Sequence, residues 1–172
     1  EYEHMMIKTE NGLVPAKNPI IIQQLFQMTS GMNYDLQTPA LKAYYEACGR
    51  TCPTVELVNH LAETPLEFEP GESWRYSLAH DVLAALVEIW SGRKFEDYVK
   101  THIFDPLGMK DSDFLLPVED YINVAPLYDY QDGPVLLPRG KMPFCRLGTE
   151  HASGGAGCAS TVEDYMKFLE AL

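Results

Sequence analysis

Residues 69–114 read "EPGESWRYSLAHDVLAALVEIWSGRKFEDYVKTHIFDPLGMKDSDF". Pro70 and Gly71 mark a turn, and the chain then carries Tyr76 up to the start of a helix. Val82, Leu83, Leu86, Ile89 and Trp90 form one stripe at helical spacing, so a helix is predicted from about Leu78 to Ser91. Gly92 follows as its terminator. "KFEDYVKTHIFDPLGM" reads as another helix that runs into a Pro/Gly turn, with Phe95, Tyr98, Val99 and His102 sharing a face. The stretch is therefore helical, and its loop delivers one tyrosine to a helix head.

The same punctuation extends outward. "NPIIIQQLFQMTSG" reads as a helix with Asn18 as cap, Pro19 in the first turn and Gly31 as terminator. "TPALKAYYEACG" repeats the device with Thr38, Pro39 and Gly49, and "TVELVNHLAETP" is a third helix stopped before Pro65. "PLYDYQDGPVLLP" reads as a β-hairpin, because Asp132-Gly133 is a turn dipeptide between apolar runs. "HASGGAGCAS" is a Gly-rich loop. The last helix opens on the capping box Ser160-Thr161-Val162-Glu163, with Val162, Tyr165, Met166, Leu169 and Leu172 as its buried face. The fold class is mainly α, six or seven helices with one small β-hairpin. No repeat or linker divides residues 1–172.

Composition excludes several functions. The chain has 172 residues, enough for one domain with a real core. Apolar residues make up 46% and charged residues 22%, an ordinary globular balance, and no apolar run is long enough to span a membrane. The net charge of −12 disfavours nucleic acid, whose phosphates are bound by Lys and Arg, and is read as solubility. Cys48 and Cys52 are spaced C-x3-C, with Cys145 and Cys158 apart from them, and the five His show no H-x3-H pair. The cysteines are read as reduced structural thiols, and no metal site and no cofactor are predicted.

Five motifs bear on a nucleophile or ligand loop, of which K-T-G is absent, the "KTE" at Lys8 to Glu10 lacking the Gly. The elbow G-x-S-x-G is absent. S-x-x-K occurs once, at Ser91-Gly92-Arg93-Lys94, but Ser91 and Gly92 finish a helix where a working Ser would start one. Y-x-N occurs once, at Tyr121-Ile122-Asn123, without a presenting loop. "SGGAGCAS" has no phosphate-loop Lys and is read as a tight turn before a capped helix.

Several pieces together resemble one family. "IIIQQLFQMTSGM", the stretch from "EPGESWRYS" through "SG" and "PLGM" to "DSDF", and "ASGGAGCASTVEDYMKFLEAL" occur in the order found in the serine β-lactamase-related family. That family includes class C β-lactamases, penicillin-binding carboxypeptidases and esterase relatives. The likeness spans most of residues 20–172. It implies that the chain is a single partial domain: the helical subdomain of a β-lactamase/transpeptidase-like α/β fold whose main sheet is missing. The family's S-x-x-K nucleophile region would precede Glu1, and its K-T-G or H-x-G strand would follow Leu172.

By position, the resemblance implies that Tyr76 is the tyrosine of the family's Y-x-N loop, a general base. A free phenol has a pKa of about 10, too high for a good base at neutral pH. Nearby ammonium groups would favour the phenolate. The Asn of Y-x-N, a substrate-binding position, is Leu78 here, and Leu offers no hydrogen bond to a substrate amide. "YSLAHDV" is more similar to the esterase branch. The alternative role for Tyr76 is that of a half-buried aromatic that staples a helix start. Ser77 is read as the helix cap, Thr29 and Ser30 as helix-terminal structure, and Asp81 as a favourable charge near the helix N-terminus.

The implied function is a serine hydrolase acting through an acyl-enzyme on a small ester, amide or β-lactam, with the ester favoured, and with residues 1–172 inactive alone. The alternative is a non-catalytic ligand-sensing or protein-interaction domain on the same scaffold, which Leu78 keeps open. A third reading is an unrelated acidic helical interaction domain. The family reading predicts an exposed apolar face and self-association through it.

Overall fold

The computed structural model describes residues 2–49, 51–117, 120, 123–136 and 148–172. A 3-10 turn, Tyr2–His4, leads into the antiparallel strands β1 (Met6–Thr9) and β2 (Gly12–Pro15). Helices α1 (Ile22–Gln27), α2 (Pro39–Ala47), α3 (Thr54–Leu61) and α4 (Ala79–Ser91) follow. Then come α5 (Phe95–Val99), a π turn (Lys100–Phe104) and α6 (Asp105–Leu107). The hairpin β3 (Tyr128–Tyr130) and β4 (Pro134–Leu136) precedes α7 (Val162–Glu170). Among the described residues, no helix is long and apolar enough to cross a membrane.

The core lies where α4 packs on α1, α3 and α5, with α2 against α3. Leu25, Leu41, Leu57, Val58, Leu61, Leu66, Leu78, Ala79, Val82 and Ala85 are buried there. The β1–β2 hairpin joins the core from the other end of the sequence. Ile7 bridges Leu66 in parallel, with Lys8 N donating to Leu66 O at 2.8 Å and Leu66 N to Met6 O at 2.7 Å. These bonds satisfy backbone groups that burial would otherwise strand.

Local signals placed most helices. Thr38 Oγ1 accepts from Leu41 N at 3.3 Å, with Pro39 next, so α2 starts as expected. Gly92 ends α4 in the left-handed region at φ 66°. The hairpin turns at Asp132 and Gly133 as its dipeptide predicts.

Five expectations are corrected. The sequence predicts one hairpin; β1–β2 is a second, turning at Glu10-Asn11. The first helix starts at Ile22, not Asn18: Gln24 Oε1 accepts the Ile21 N–H at 3.0 Å, while Asn18 Nδ2 donates to Pro70 O at 3.2 Å. It ends at Met28, in the left-handed region at φ 58°. Gly31 lies beyond, in a turn pressed on its neighbour: a Cβ there would sit 2.4 Å from Phe68 O. Thr161, not Ser160, caps α7, its Oγ1 accepting from Asp164 N at 3.2 Å. Apolar stripes do not all face inward. Ile89 and Trp90 on α4 are exposed, as are Val162, Tyr165, Met166, Leu169 and Leu172 at α7.

What α7 buries is a carboxylate. Asp164 is 1% exposed and accepts from Asp111 N at 2.7 Å, Ser112 Oγ at 3.0 Å and Lys167 Nζ at 2.6 Å. An Asp113–Ala159 bridge closes the same join. The D-S-D run after "PLGM" is thus the socket for α7. Tyr121 and Ile122 of the Y-x-N match, and Cys145, lie outside the described residues.

Candidate active site

Tyr76 is held by a loop tied down on both sides. Pro70 is fully buried, and Gly71 takes φ 91°, its N–H donating to Thr29 O at 2.8 Å. Arg75 N donates to Met28 O at 2.9 Å and Leu78 N to Asn33 O at 3.2 Å. Residues 28–33 and 71–78 therefore run as a cross-linked pair of segments. The Tyr76 side chain stays 54% exposed, half in solvent at the head of α4. Its ring stacks on Tyr34, centroids 5.4 Å apart and planes 24° apart.

Both tyrosines line a cavity of about 780 Å³. That volume lies in the range of small-molecule sites. The N-terminal end of α2 and the Glu63–Pro65 turn after α3 form other walls, and Lys8 reaches in from β1. Charge at the rim is partly paired. Arg75 Nε lies 3.1 Å from Glu67 Oε2, and His60 Nδ1 lies 2.6 Å from Glu63 Oε1. Close by, Tyr44 donates its phenol to Glu56 at 3.1 Å, and burial first, then that carboxylate, push its pKa up.

Leu78 is 2% exposed and packs in the core beside a void of about 10 Å³ rather than on the cavity wall. Ser77 is buried too; its Oγ accepts from Ala79 N at 3.3 Å and lies 3.4 Å from Met28 Sδ. The formal helix cap is Leu78, which makes no side-chain cap bond, so Ser77 supports the helix start from one position earlier. Ser30 is fully buried. Ser91 sits at the far end of α4, about 20 Å along the axis from the Tyr76 end, and its Oγ accepts from Arg93 N. The S-x-x-K match is thus remote from the cavity. The Sγ atoms of Cys48 and Cys52 lie 2.9 Å apart.

Asp81 does more than complement a helix dipole. It is 2% exposed, and its Oδ1 accepts from Ser153 Oγ at 2.7 Å and from His151 Nε2 at 3.1 Å. Ser153 Oγ in turn accepts from Gly155 N and Ala156 N. Serine and histidine both point at the aspartate, so the three residues are not wired as a nucleophile relay, in which the histidine would stand between the other two. They fasten the Gly-rich loop to the first turns of α4. A Cβ on Gly154 would lie 2.3 Å from His80 O and 2.9 Å from Ala84 Cβ, so only glycine permits that approach.

Sequence reasoning missed Tyr34 and the cavity walls. The one available signal was an aromatic three residues after the glycine of "TSGMNY".

A family model described as Beta-lactamase matches residues 11–172. Esterase EstB of Burkholderia gladioli is 32% identical, over 93% of this chain and 46% of that protein. A lovastatin esterase of Penicillium rubens is 30% identical, over 92% and 41%. Among solved structures, EstCE1, titled a hydrolase with promiscuous acyltransferase activity, superimposes with TM-score 0.72 at 26% identity, over 99% of this chain and 48% of that one. The simvastatin synthase LovD of Aspergillus terreus gives 0.70 at 27%, over 99% and 44%. The chain spans less than half the length of each of these relatives.

Proposed function

The chain belongs to the beta-lactamase family, and from that premise we propose that the whole protein is a serine hydrolase cleaving small esters through an acyl-enzyme. In this reading residues 1–172 form the helical portion of the domain, and the main sheet lies elsewhere in the protein. A serine outside this chain attacks the ester carbonyl. Tyr76, as a phenolate favoured by a lysine ammonium outside this chain, takes the serine's proton as the bond to carbon forms and gives it to the departing alkoxide. Water then hydrolyses the acyl-enzyme by the reverse proton path.

The observation that carries the proposal is the placement of Tyr76. It is half exposed, on a loop fixed by backbone bonds, over a cavity of substrate size. A helix staple accounts for a half-buried ring but not for its place on the wall of a cavity of substrate size. The position of the family's Asn is a core leucine off the cavity wall, so no side-chain amide stands there to meet a substrate amide, which favours an ester. The names of the esterase relatives point the same way. By itself the chain turns nothing over, since a base without a nucleophile has nothing to activate.

The test uses the full-length protein, a p-nitrophenyl ester and a chromogenic cephalosporin, with wild type beside Tyr76→Phe. Ester turnover with a loss of about a hundredfold or more in Tyr76→Phe is the expected result, the scale of a lost general base. A Tyr76→Phe variant as active as wild type removes the role of Tyr76. An inert wild type favours a ligand-sensing domain on the same scaffold.

A further inference from the structure

The stacked partner of Tyr76 is the feature that the reaction scheme above does not use. Tyr34 is 42% exposed, so burial does not explain its place. Its ring lies face to face with Tyr76 at 5.4 Å and 24°. The segment carrying it is fixed in three ways. Gly31 admits no Cβ against Phe68 O. Asn33 O accepts from Leu78 N, two residues beyond Tyr76. Asn33 Oδ1 accepts from Asp35 N at 2.9 Å, closing a turn around Tyr34. The first and third fix Tyr34's own segment, and the Asn33–Leu78 bond ties it to the segment that carries Tyr76.

A half-exposed phenol on a loop has several χ1 wells open to it. A base must hold its oxygen within hydrogen-bond reach of the proton it takes, and a misplacement of about 1 Å can cost about a hundredfold in rate. A ring stacked on one face removes the wells that swing the phenol away, and the aromatic pairing adds a preference of its own.

We propose that Tyr34 is a positioning residue for the reaction: its ring holds the Tyr76 phenol over the cavity. This rests on the reading of Tyr76 as the proton-transfer residue. Tyr34 itself transfers no proton, so the ring matters and the hydroxyl does not.

The experiment is a double-mutant cycle in the full-length protein on a p-nitrophenyl ester. Tyr34→Leu, Tyr34→Phe, Tyr76→Phe and the pair Tyr34→Leu/Tyr76→Phe are compared, with thermal unfolding as the folding check. The expected result is a tenfold or greater loss in kcat for Tyr34→Leu, with KM within about threefold, and near wild-type kcat for Tyr34→Phe. In the Tyr76→Phe background, Tyr34→Leu should then cost little more, because the group it positions is gone. Wild-type kcat in Tyr34→Leu overturns the proposal, as does an undiminished loss in the Tyr76→Phe background. A Tyr34→Phe variant as slow as Tyr34→Leu overturns it too, since stacking needs no hydroxyl. If Tyr76→Phe alone keeps full activity, the general-base reading has failed first, and this inference with it.

Discussion

Ser153 Oγ donates to Asp81 Oδ1 at 2.7 Å across 72 residues of sequence, in a site where both side chains are buried. His151 Nε2 donates to the same oxygen. Asp81→Ala leaves two buried donors without their acceptor, an expected loss on the order of 3 kcal/mol. Asp81→Asn keeps an oxygen for Ser153 and should lose less, about 1 kcal/mol. Urea midpoints at constant m-value measure both. If both variants unfold with the wild type, the network carries no weight in stability.

Gly154 and its neighbour Gly155 make a paired test of the loop's approach to α4. A methyl at Gly154 meets the His80 carbonyl oxygen at 2.3 Å, an atom of helix backbone that cannot turn aside. At Gly155 the nearest atom is Asp81 Oδ2 at 3.5 Å, an ordinary contact. Gly154→Ala is therefore expected to destabilise by about 1–3 kcal/mol, and Gly155→Ala by much less. Equal midpoints for the two variants would contradict the close approach.

The Asp164 socket should make the join of α7 acid-sensitive. The Lys167 ammonium bonded to it is the main cause that holds its carboxyl below the usual range, helped by Asp111 N–H and Ser112 Oγ, while burial works the other way. A lowered folded-state pKa contributes stability that is complete above the ordinary carboxylate pKa of about 3.9. That contribution fades as pH falls from there through the lower folded value. Asp164→Asn should thus unfold earlier than wild type at pH 7, and the gap should narrow at pH 3. A gap of constant size across that range would mean that the charge on Asp164 is not what holds α7.

What could be read from the chain tracks how local each cause is. Thr38-Pro39, Gly92 and Asp132-Gly133 act on their own neighbours, so α2, the end of α4 and the β3–β4 turn were legible. The family's motif order was legible too, and with it the loop that presents Tyr76. The β1–β2 hairpin was not, although Asn11-Gly12 is a turn dipeptide in the sequence, because its runs are short and its core strand, β1, is anchored by the distant Leu66. Asp81 looked like a dipole charge because His151 and Ser153 stand 70 residues or more away. Tyr34 needed the Asn33–Leu78 bond to bring two segments together. For α7, periodicity shows that a face has a preferred direction, but not what covers it; the structure turned Asp164 inward instead.

That last face gives the final prediction. Val162, Tyr165, Met166 and Leu169 follow one another at helical spacing on α7, and all are exposed. Contiguous apolar surface of this kind drives association in water. The chain carries a net charge of −12, so copies also repel one another. The two effects respond oppositely to salt, which screens the repulsion and leaves the apolar contact intact. Residues 1–172 expressed alone should therefore self-associate, and more strongly as salt rises. Glu at positions 165 and 166 (Tyr165→Glu with Met166→Glu) should return the chain to monomer, since both sites are solvent-facing and Glu suits a helix. Sedimentation of both forms at low and high salt decides it. A wild-type chain that stays monomeric in high salt, or a double variant that associates as wild type does, removes α7 as the contact.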